Sequence, residues 1–266
     1  MFTLTKSIKI SGIDIHSGQP VDMFIAPTMS AGIAFEYQNS TILINVNNLS
    51  INHIRSTSIT NGTITVNTPE HFLSACYALQ LTNINIKLSS NEVPILDGSA
   101  REFMKHLKPY LKRINYKAPI FKCSQPYQFE INGSKYSVIP SDKFTIDATV
   151  SYPNHWLNDM SFFYEHSLDN YLNNISDART YGFLEEVEAL QKQGLAKGGS
   201  LDNALVISNT GYVNPTRFED EIVRHKILDF IGDMAIAGLQ WQGHFKLHKP
   251  SHQGNIAFLN YLLSQF

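Results

Sequence analysis

One segment near the carboxyl end, FEDEIVRHKILDFIGD at residues 218–233, constrains the fold more than any other part of the chain. Wound at about 100° per residue, it predicts a helix with one apolar stripe, which contains Ile227 and Phe230. A second stripe holds an imidazole and two carboxylates at i, i+4 and i+8, with an ammonium beside them: His225, Asp229, Asp233 and Lys226. Solvent-facing stripes usually mix charges for solubility. This helix is therefore expected to pack on a core through one face and to present a polar site through the other.

The pair His225 and Asp229 has the spacing of two metal ligands on one helix face, because side chains four residues apart lie side by side. An imidazole with a carboxylate suits Zn²⁺, and a catalytic zinc site needs a third protein ligand and one open position. An isolated H-x-x-x-D is usually an ion pair or a hydrogen bond. Asp233, on the same line of the helix, favours a functional site.

A candidate third ligand lies in the sequence NTPEHFLSACYAL, which predicts a helix over 69–81 with Thr68 as N-cap and Pro69 in the first position. Glu70 and His71 then occupy the first turn. The helix dipole favours a carboxylate at this end and disfavours imidazolium, so His71 is expected to be neutral, the form that binds metals. A glutamate that neighbours a ligand without ligating suits a general base.

A competing set of histidines, His244, His248 and His252, has the same i, i+4, i+8 spacing. Pro250 and the flanking glycines argue against a continuous helix, so the segment is interpreted as a strand that runs into a loop. His244 and His248 are then surface or packing residues. His252 is the candidate for a loop histidine that faces a site.

Both halves of the chain show the order strands, helix, strand, helix, which predicts two α+β domains of similar plan. The boundary is expected in the polar, proline-ended segment LKRINYKAP, giving domains 1–117 and 118–266. The predicted strands of the first domain are 7–10, 21–26, 32–37, 41–46 and 83–88, followed by a helix over 100–112. The second domain is expected to contain a hairpin over 127–139 that turns at Asn132-Gly133, strands over 144–152 and 201–208, and a helix over 183–195. A capping box formed by Thr216 and Glu219 predicts that the last helix begins near residue 216.

The formal net charge of -2 provides no basic field for nucleic acid. No apolar run reaches the roughly 18–20 residues of a membrane span, and the first residues lack the apolar core of a signal peptide. The two cysteines, Cys76 and Cys123, lie far apart, which favours a reducing cytoplasm over a disulfide framework, with Cys76 as a core residue.

Six motifs, in this order and spacing, carry a resemblance to a known family: TPEHFLSA, VPILDGSA, ISDARTYGF, GLAKGGSLDNALVI, RFEDEIVRHKILDFIGD and KPSHQGN. The chain resembles the UDP-3-O-acyl-N-acetylglucosamine deacetylases, zinc enzymes of the committed step of lipid A synthesis in Gram-negative bacteria. The similarity extends from about Thr5 to Leu263. It implies an α+β fold in which two similar domains form a β-α-α-β sandwich, with the active site at their interface.

The resemblance implies a role for each motif residue in the site. The metal ligands of the family match the three residues proposed above, His71, His225 and Asp229, and its general base matches Glu70. Its proton-donating histidine matches His252, and the carboxylate that orients that histidine matches Asp233. Oxyanion-stabilising positions match Lys226 and Thr180.

The resemblance also implies a β-α-β insert at about 182–204 that lines a tunnel for the acyl chain. Positions that match the tunnel lining are Tyr181, Val187, Ala196, Gly199, Ser200 and Ala204. Two residues depart from the family pattern: Tyr181 replaces a phenylalanine, and Lys197 stands where an apolar residue is expected. Lys249 is a candidate contact for the diphosphate of the nucleotide.

The expected function is zinc-dependent hydrolysis of the acetamide of UDP-3-O-acyl-N-acetylglucosamine by a cytoplasmic monomer, and Fe²⁺ would fit the same ligands. Two alternatives stay open. One is a catalytically silent paralogue that binds nucleotide sugars or acyl chains, and the other is a related zinc deacetylase that acts on another N-acetyl sugar.

Overall fold

The computed structural model describes residues 1–50, 56–152, 156–157, 159–192 and 196–265. Within these ranges the chain forms six α-helices and eighteen strands in five sheets, a mixed arrangement consistent with an α+β fold. The helices are α1 (Glu70–Ala78), α2 (Arg101–Leu107), α3 (Leu168–Asn174), α4 (Leu184–Lys192), α5 (Glu221–Ala235) and α6 (His252–Leu263). None of the described helices is long and apolar enough to cross a membrane.

The strands of the first half are β1 (Phe2–Leu4), β2 (Ile8–Ile13), β3 (Pro20–Pro27), β4 (Ile33–Tyr37), β5 (Ser40–Leu43), β6 (Ser58–Thr60), β7 (Thr65–Asn67), β8 (Ile84–Leu88) and β9 (Leu111–Arg113). Five of them form one sheet in the order β2-β3-β8-β4-β5, in which only the β4–β8 pair is parallel. β1 pairs with β9, and β6 pairs with β7.

The strands of the second half are β10 (Ile120–Lys122), β11 (Tyr127–Ile131), β12 (Ser134–Ile139), β13 (Phe144–Val150), β14 (Met160–Glu165), β15 (Tyr181–Phe183), β16 (Leu205–Ser208), β17 (Gly211–Tyr212) and β18 (Gln240–His248). The large sheet has the order β11-β12-β18-β13-β14, with β10 alongside β18, and a small sheet has the order β15-β16-β17.

The two large sheets share one topology. In each, an antiparallel hairpin, β2-β3 or β11-β12, is joined to a second hairpin, β4-β5 or β13-β14, by a later strand of the same half, which pairs between them. That strand, β8 or β18, lies parallel to the first strand of the second hairpin. A helix, α1 or α5, precedes the central strand, and another, α2 or α6, follows it. The described strands and helices of the two large sheets therefore follow one order and one pairing pattern.

The helices α1 and α5 pack against each other, so the buried interior of one half continues into that of the other. Both stripes of α5 are almost wholly buried, and its apolar stripe, which includes Ile227, Phe230 and Ile231, joins the core. Cys76 and Cys123 are buried free thiols. A helix covered on both sides explains why the polar stripe lacks the charge mixture of a solvent face.

Several predicted element boundaries are wrong. The helix predicted over 100–112 ends at Leu107, and Pro109 lies in a short 3₁₀ helix before β9, because a prolyl ring cannot continue an α-helix. The strand predicted over 201–208 begins only at Leu205. The helix predicted over 183–195 covers 184–192 as α4, and residues 193–195 lie outside the described ranges. The hairpin prediction is confirmed, because Asn132 and Gly133 both have positive φ between β11 and β12.

The predicted helix caps at Thr68 and Thr216 are both wrong. Pro69 is the N-cap of α1, while Thr68 has φ of +56° and its hydroxyl donates to Glu92. α5 begins at Glu221 rather than near Thr216, so no capping box forms. Two helices were not predicted: α3 lies in the polar stretch after β14, and α6 begins at His252 where a loop was expected.

Ser251 caps α6 by accepting a hydrogen bond from the backbone N–H of Gly254. Pro250 precedes this cap and so does not interrupt the helix. A Cβ at position 254 would lie 2.2 Å from the hydroxyl of Tyr136, so glycine serves close packing inside the helix. The predicted strand is confirmed, because β18 ends at His248 and no continuous helix joins His244 to His252, but a helix rather than a loop follows Pro250.

A pH-dependent loss of stability is expected from His166, whose Nδ1 lies 2.9 Å from the hydroxyl of Tyr164. Burial lowers the pKa of His166 from 6.5 to about 4. Between these two pH values the folded protein therefore binds fewer protons than the unfolded chain. The stability that this group contributes is complete above pH 6.5 and falls as the pH drops towards 4. We expect the urea midpoint to fall between pH 7 and pH 5, and less so in His166→Gln; equal pH dependence in both proteins would contradict the assignment.

Candidate metal centre and active site

The site forms where the first turn of α1 meets the middle of α5. The contact is unusually close: a Cβ on Gly232 would lie 2.1 Å from the carbonyl oxygen of Glu70. Only glycine permits this approach without a shift of the backbone. It brings Glu70 and His71, from the first half of the chain, beside His225 and Asp229 from the second.

Three side chains converge at this contact. Nε2 of His71 lies 3.6 Å and Nε2 of His225 lies 3.1 Å from Oδ1 of Asp229. One potential ligand atom from each residue lies within 4.8 Å of the others, and all three residues are buried. The two imidazole rings meet edge to face with centroids 4.9 Å apart. The sequence-predicted ligands are thus brought together in one place.

The orientation of His225 directs its Nε2 into this space. Its Nδ1 lies 3.0 Å from the carbonyl oxygen of Ala178, which can only accept, so Nδ1 carries the proton and Nε2 faces Asp229. Burial lowers the pKa of His71, which favours its neutral imidazole. Within the described chain, Oδ1 of Asp229 is buried and accepts no hydrogen bond. Two imidazole nitrogens and a carboxylate oxygen without a hydrogen bond face one another here, and two His with one Asp is a donor set that zinc accepts.

Lys226 and Asp229 form a charged pair at the edge of this cluster. Nζ of Lys226 donates to Oδ2 of Asp229 at 3.0 Å. Burial alone would raise the pKa of Asp229, but His225, Lys226 and His252 hold it well below its usual range. Burial likewise opposes the charge on Lys226, but Tyr181 and the carboxylates raise its pKa. Both groups are therefore charged at neutral pH, and the ammonium occupies one oxygen of Asp229 while the other stays free.

Glu70 lies next to the cluster without belonging to it. Its Oε2 accepts a hydrogen bond from the backbone N–H of Thr57 at 3.3 Å, and its Oε1 lies 3.7 Å from Nε2 of His252. Burial raises its pKa to about 8; the charge of His252 opposes the rise, and the carboxylates of Asp233 and Asp229 add to it. A carboxyl group with a pKa near neutrality can both accept and release a proton under physiological conditions.

His252 is the first residue of α6, and Asp233 holds it. Nδ1 of His252 lies 2.9 Å from Oδ2 of Asp233, and its Nε2 lies 3.6 Å from Oδ2 of Asp229. Burial would lower the pKa of His252, but the carboxylates of Asp233, Asp229 and Glu70 outweigh it and raise the pKa to about 9. The imidazole is therefore protonated at neutral pH and points one N–H towards the three candidate metal ligands.

Two residues that fix this histidine were not identified from the sequence. The hydroxyl of Thr57 donates to Oδ1 of Asp233 at 2.5 Å, and the side-chain amide of Asn255 donates to Oδ2 at 2.8 Å. Asn255 in turn accepts a hydrogen bond from Tyr136. Neither Thr57 nor Asn255 has a residue type and spacing typical of metal ligands or general bases. Their role in holding Asp233 is therefore seen only from contacts between segments that are distant in the sequence.

A cavity of about 710 Å³ opens from the cluster. Its lining includes all three candidate ligands, together with Glu70, Lys226 and His252. Seven further predicted residues also line it: Thr180, Tyr181, Val187, Ala196, Gly199, Ser200 and Ala204. The remainder is mainly apolar, with Phe183, Leu184 and Val206 among the lining residues. Lys249 does not line this cavity, and Asp233 lies behind His252 rather than at its surface.

The two departures from the family pattern have definite places. The hydroxyl of Tyr181 lies 2.6 Å from that of Tyr152, so its polar group meets a partner within the protein. Lys197 has an exposed side chain, and its backbone N–H donates to the carbonyl of His16. Lys197 therefore ties the end of the segment after α4 to the first half of the chain without lining the cavity.

Comparison with known proteins gives a consistent result. The family model described as LpxC, UDP-3-O-acyl N-acetylglycosamine deacetylase, matches residues 2–264. A protein from Thermodesulfovibrio yellowstonii named UDP-3-O-acyl-N-acetylglucosamine deacetylase is 36% identical over 98% of this chain and 91% of its own length. Proteins of the same name from Lawsonia intracellularis and Campylobacter fetus are 37% and 36% identical, each over 98% of this chain and over 88% and 91% of their own lengths.

Proposed function

The chain belongs to the UDP-3-O-acyl N-acetylglycosamine deacetylase family, and from this premise we propose that it hydrolyses the acetamide of UDP-3-O-acyl-N-acetylglucosamine and releases acetate. The reaction is the committed step of lipid A synthesis. The observation that carries the proposal is the convergence of His71, His225 and Asp229, beside Glu70 and His252, at one end of a largely apolar cavity.

We assign His71, His225 and Asp229 as the ligands of a divalent cation, with Zn²⁺ as the first candidate and Fe²⁺ compatible with the same donors. Such an ion, when bound, acts as a Lewis acid that makes water more acidic and stabilises negative charge on oxygen. The unsatisfied oxygen of Asp229 and the fixed orientation of His225 support this assignment.

Glu70 is the proposed general base. Its carboxylate is held by the N–H of Thr57 and lies beside the candidate ligands without filling a ligand position. It removes the proton from the water that attacks the acetamide carbon. A nearby divalent cation favours the ionised form of a buried carboxyl group. Glu70 is therefore expected to be fully ionised at neutral pH only when the metal is bound.

His252 is the proposed general acid. Its pKa of about 9 keeps it protonated, and Asp233 orients it through Nδ1. It gives the proton on Nε2 to the amine that leaves. The charges of His252 and Lys226, with the hydroxyl of Thr180, stabilise the oxyanion that forms when water adds to the carbonyl.

The cavity is proposed to hold the acyl chain, with residues of the β15-α4-β16 segment as its walls. The two halves, 1–117 and 118–266, are proposed to form the two domains of a β-α-α-β sandwich, which the shared sheet topology and the α1–α5 contact support. The tunnel insert, expected at 182–204, then extends from β15 through β16 and β17. Lys249 is proposed to contact the diphosphate, and the enzyme to act as a cytoplasmic monomer.

A combined metal and activity measurement tests the function. The purified wild-type protein is expected to contain one equivalent of zinc or iron and to release acetate from UDP-3-O-acyl-N-acetylglucosamine. Bound metal without acetate release would favour a silent paralogue that only binds nucleotide sugars or acyl chains. Release from other N-acetyl sugars at the same rate would favour a deacetylase of another substrate.

Shortening the acyl chain of the substrate should reduce kcat/KM steeply. Burial of one methylene contributes about 0.8 kcal/mol, which corresponds to about fourfold in rate for each methylene that the cavity holds. Assays with a series of chain lengths measure this slope. Ala204→Leu, which narrows the cavity, should reduce the rate for long chains more than for short ones. If kcat/KM does not depend on chain length, the proposal that the cavity binds the acyl chain is wrong.

A further inference from the structure

A three-residue segment, 178–180, which we call the strap, passes the amino-terminal end of α5 between α3 and β15. The carbonyl oxygen of Ala178 accepts the hydrogen bond from Nδ1 of His225 at 3.0 Å. The backbone N–H of Thr180 donates to the carbonyl of Gly98 at 2.8 Å, and Thr180 lines the cavity. The strap therefore touches both a candidate metal ligand and the substrate cavity.

The residue between them, Arg179, is fixed to Glu221 in the first turn of α5. Oε1 of Glu221 accepts hydrogen bonds from the backbone N–H of Arg179 at 3.0 Å and from its Nε at 2.9 Å. Oε2 accepts from Nη2 of Arg179 at 3.2 Å and from the backbone N–H of Arg217 at 2.7 Å. Glu221 lies one turn before His225 on the same helix, so these hydrogen bonds set the position of the strap relative to His225.

The pair is buried to a degree that stability alone does not explain. The side chain of Arg179 is 6% exposed and that of Glu221 is 0% exposed. Burial alone would raise the pKa of Glu221, but the hydrogen bonds from Arg179 and Arg217 lower it, so the carboxylate stays ionised. A buried ion pair repays its desolvation poorly, and apolar residues of similar volume often stabilise a fold as well or better. What apolar residues cannot supply is four directed hydrogen bonds to one carboxylate.

We propose that Arg179 and Glu221 are positioning residues of the metal centre: their ion pair holds the strap where the Ala178 carbonyl fixes the tautomer and ring orientation of His225. The inference rests on the proposed function only in requiring that the centre binds a divalent cation. Hydrogen bonds to the second nitrogen of a metal-bound histidine commonly change metal affinity by about 10–100-fold. The ion pair of Arg179 and Glu221 acts on His225 indirectly, through the backbone carbonyl of Ala178 that makes this bond.

The chain offers a matched control beside Glu221. Asp220 is the neighbouring acid at the same helix end, and its Oδ1 accepts a hydrogen bond from Nε of Arg224 at 2.5 Å. Arg224 also contacts the ring of Phe162 and donates to Asn174. None of the described contacts of this second pair involves the strap. Asp220→Asn and Glu221→Gln each remove one negative charge from the same helix end.

The experiment measures zinc affinity by chelator competition, and the visible spectrum after replacement by Co²⁺, for wild type and both variants. We expect Glu221→Gln to bind zinc about 10-fold more weakly or worse and to change the cobalt spectrum, which reports the geometry of the ligands. Asp220→Asn should stay within about twofold of wild type with an unchanged spectrum. Arg179→Lys, which keeps the charge and loses the two-nitrogen fork, should behave like Glu221→Gln; it provides the same test if that variant does not fold.

A Glu221→Gln or Arg179→Lys protein that melts earlier but keeps wild-type zinc affinity and the wild-type cobalt spectrum would overturn the proposal, because the pair would then be structural only. An equal loss of affinity in Asp220→Asn would also overturn it, since the effect would come from charge at the helix end. A wild-type protein without affinity for zinc, iron or cobalt would instead refute the metal centre itself, which separates failure of the proposed function from failure of this inference.

Discussion

Glu70→Ala is expected to keep the bound metal and to lose most of its deacetylase activity, by roughly 10²–10⁴-fold in kcat. The carboxylate lies beside the candidate ligands but supplies no ligand atom to the group formed by His71, His225 and Asp229. Its loss removes the proton acceptor and leaves the three ligands in place. Metal content and steady-state rates, measured on the same preparation, check both parts of the prediction.

The matched control for this variant is Glu92→Gln. Glu92 is also a buried carboxyl group whose pKa is raised, to about 7, and it accepts a hydrogen bond from Thr68 outside the metal cluster. Removal of its charge should change kcat by no more than a few-fold. Near-wild-type turnover in Glu70→Ala would show that another group accepts the proton.

Asp229→Ala is expected to lose metal and activity together. The substitution removes the one carboxylate of the candidate ligand set and leaves the partly buried Lys226 without this partner. The loss of zinc affinity should exceed the roughly 10–100-fold typical of substitutions at residues that only hydrogen-bond to a metal ligand. Metal analysis after dialysis and the deacetylase assay measure the two losses, and restoration of the rate by excess zinc would be partial at most.

Asp233→Asn separates the two carboxylates of α5, because Asp233 touches His252 rather than the ligand atoms. This variant should retain zinc and lose activity. The acid form of His252 is required, and the carboxylates raise its pKa; without Asp233 that pKa falls, so activity should decline at a lower pH than in the wild type. Loss of zinc from Asp233→Asn with retention by Asp229→Ala would reverse the assignment of the two residues.

Prediction from the sequence succeeded where the information is local. The period of α5 places His225, Asp229 and Asp233 on one line, and the three are buried on that line in the structure. The first turn of α1 carries Glu70 and His71 as predicted, although the cap residue differs. The motif residues of the insert were assigned by resemblance, and they line one cavity.

Prediction failed where a distant contact decides local structure. The segment after Pro250 contains a glycine, Gly254, yet it forms α6 because Ser251 caps it and Tyr136 fits against Gly254. Thr57 and Asn255 hold Asp233 through contacts that no sequence spacing indicates, although Asn255 ends the motif KPSHQGN. The buried pair of Arg179 and Glu221 joins residues 42 positions apart, and no spacing rule indicates it.

By itself, therefore, the sequence determined the amphipathic helices and the chemical identity of the candidate ligands, because helical periodicity and residue type are properties of short segments. Only the tertiary structure decided that α1 and α5 meet at Gly232 closely enough for His71 to face His225 and Asp229. It also decided that His252 begins a helix and that the carbonyl oxygen of Ala178 lies within hydrogen-bond distance of Nδ1 of His225. These features depend on packing between residues far apart in the chain, where excluded volume and buried hydrogen bonds, rather than local preference, select the arrangement.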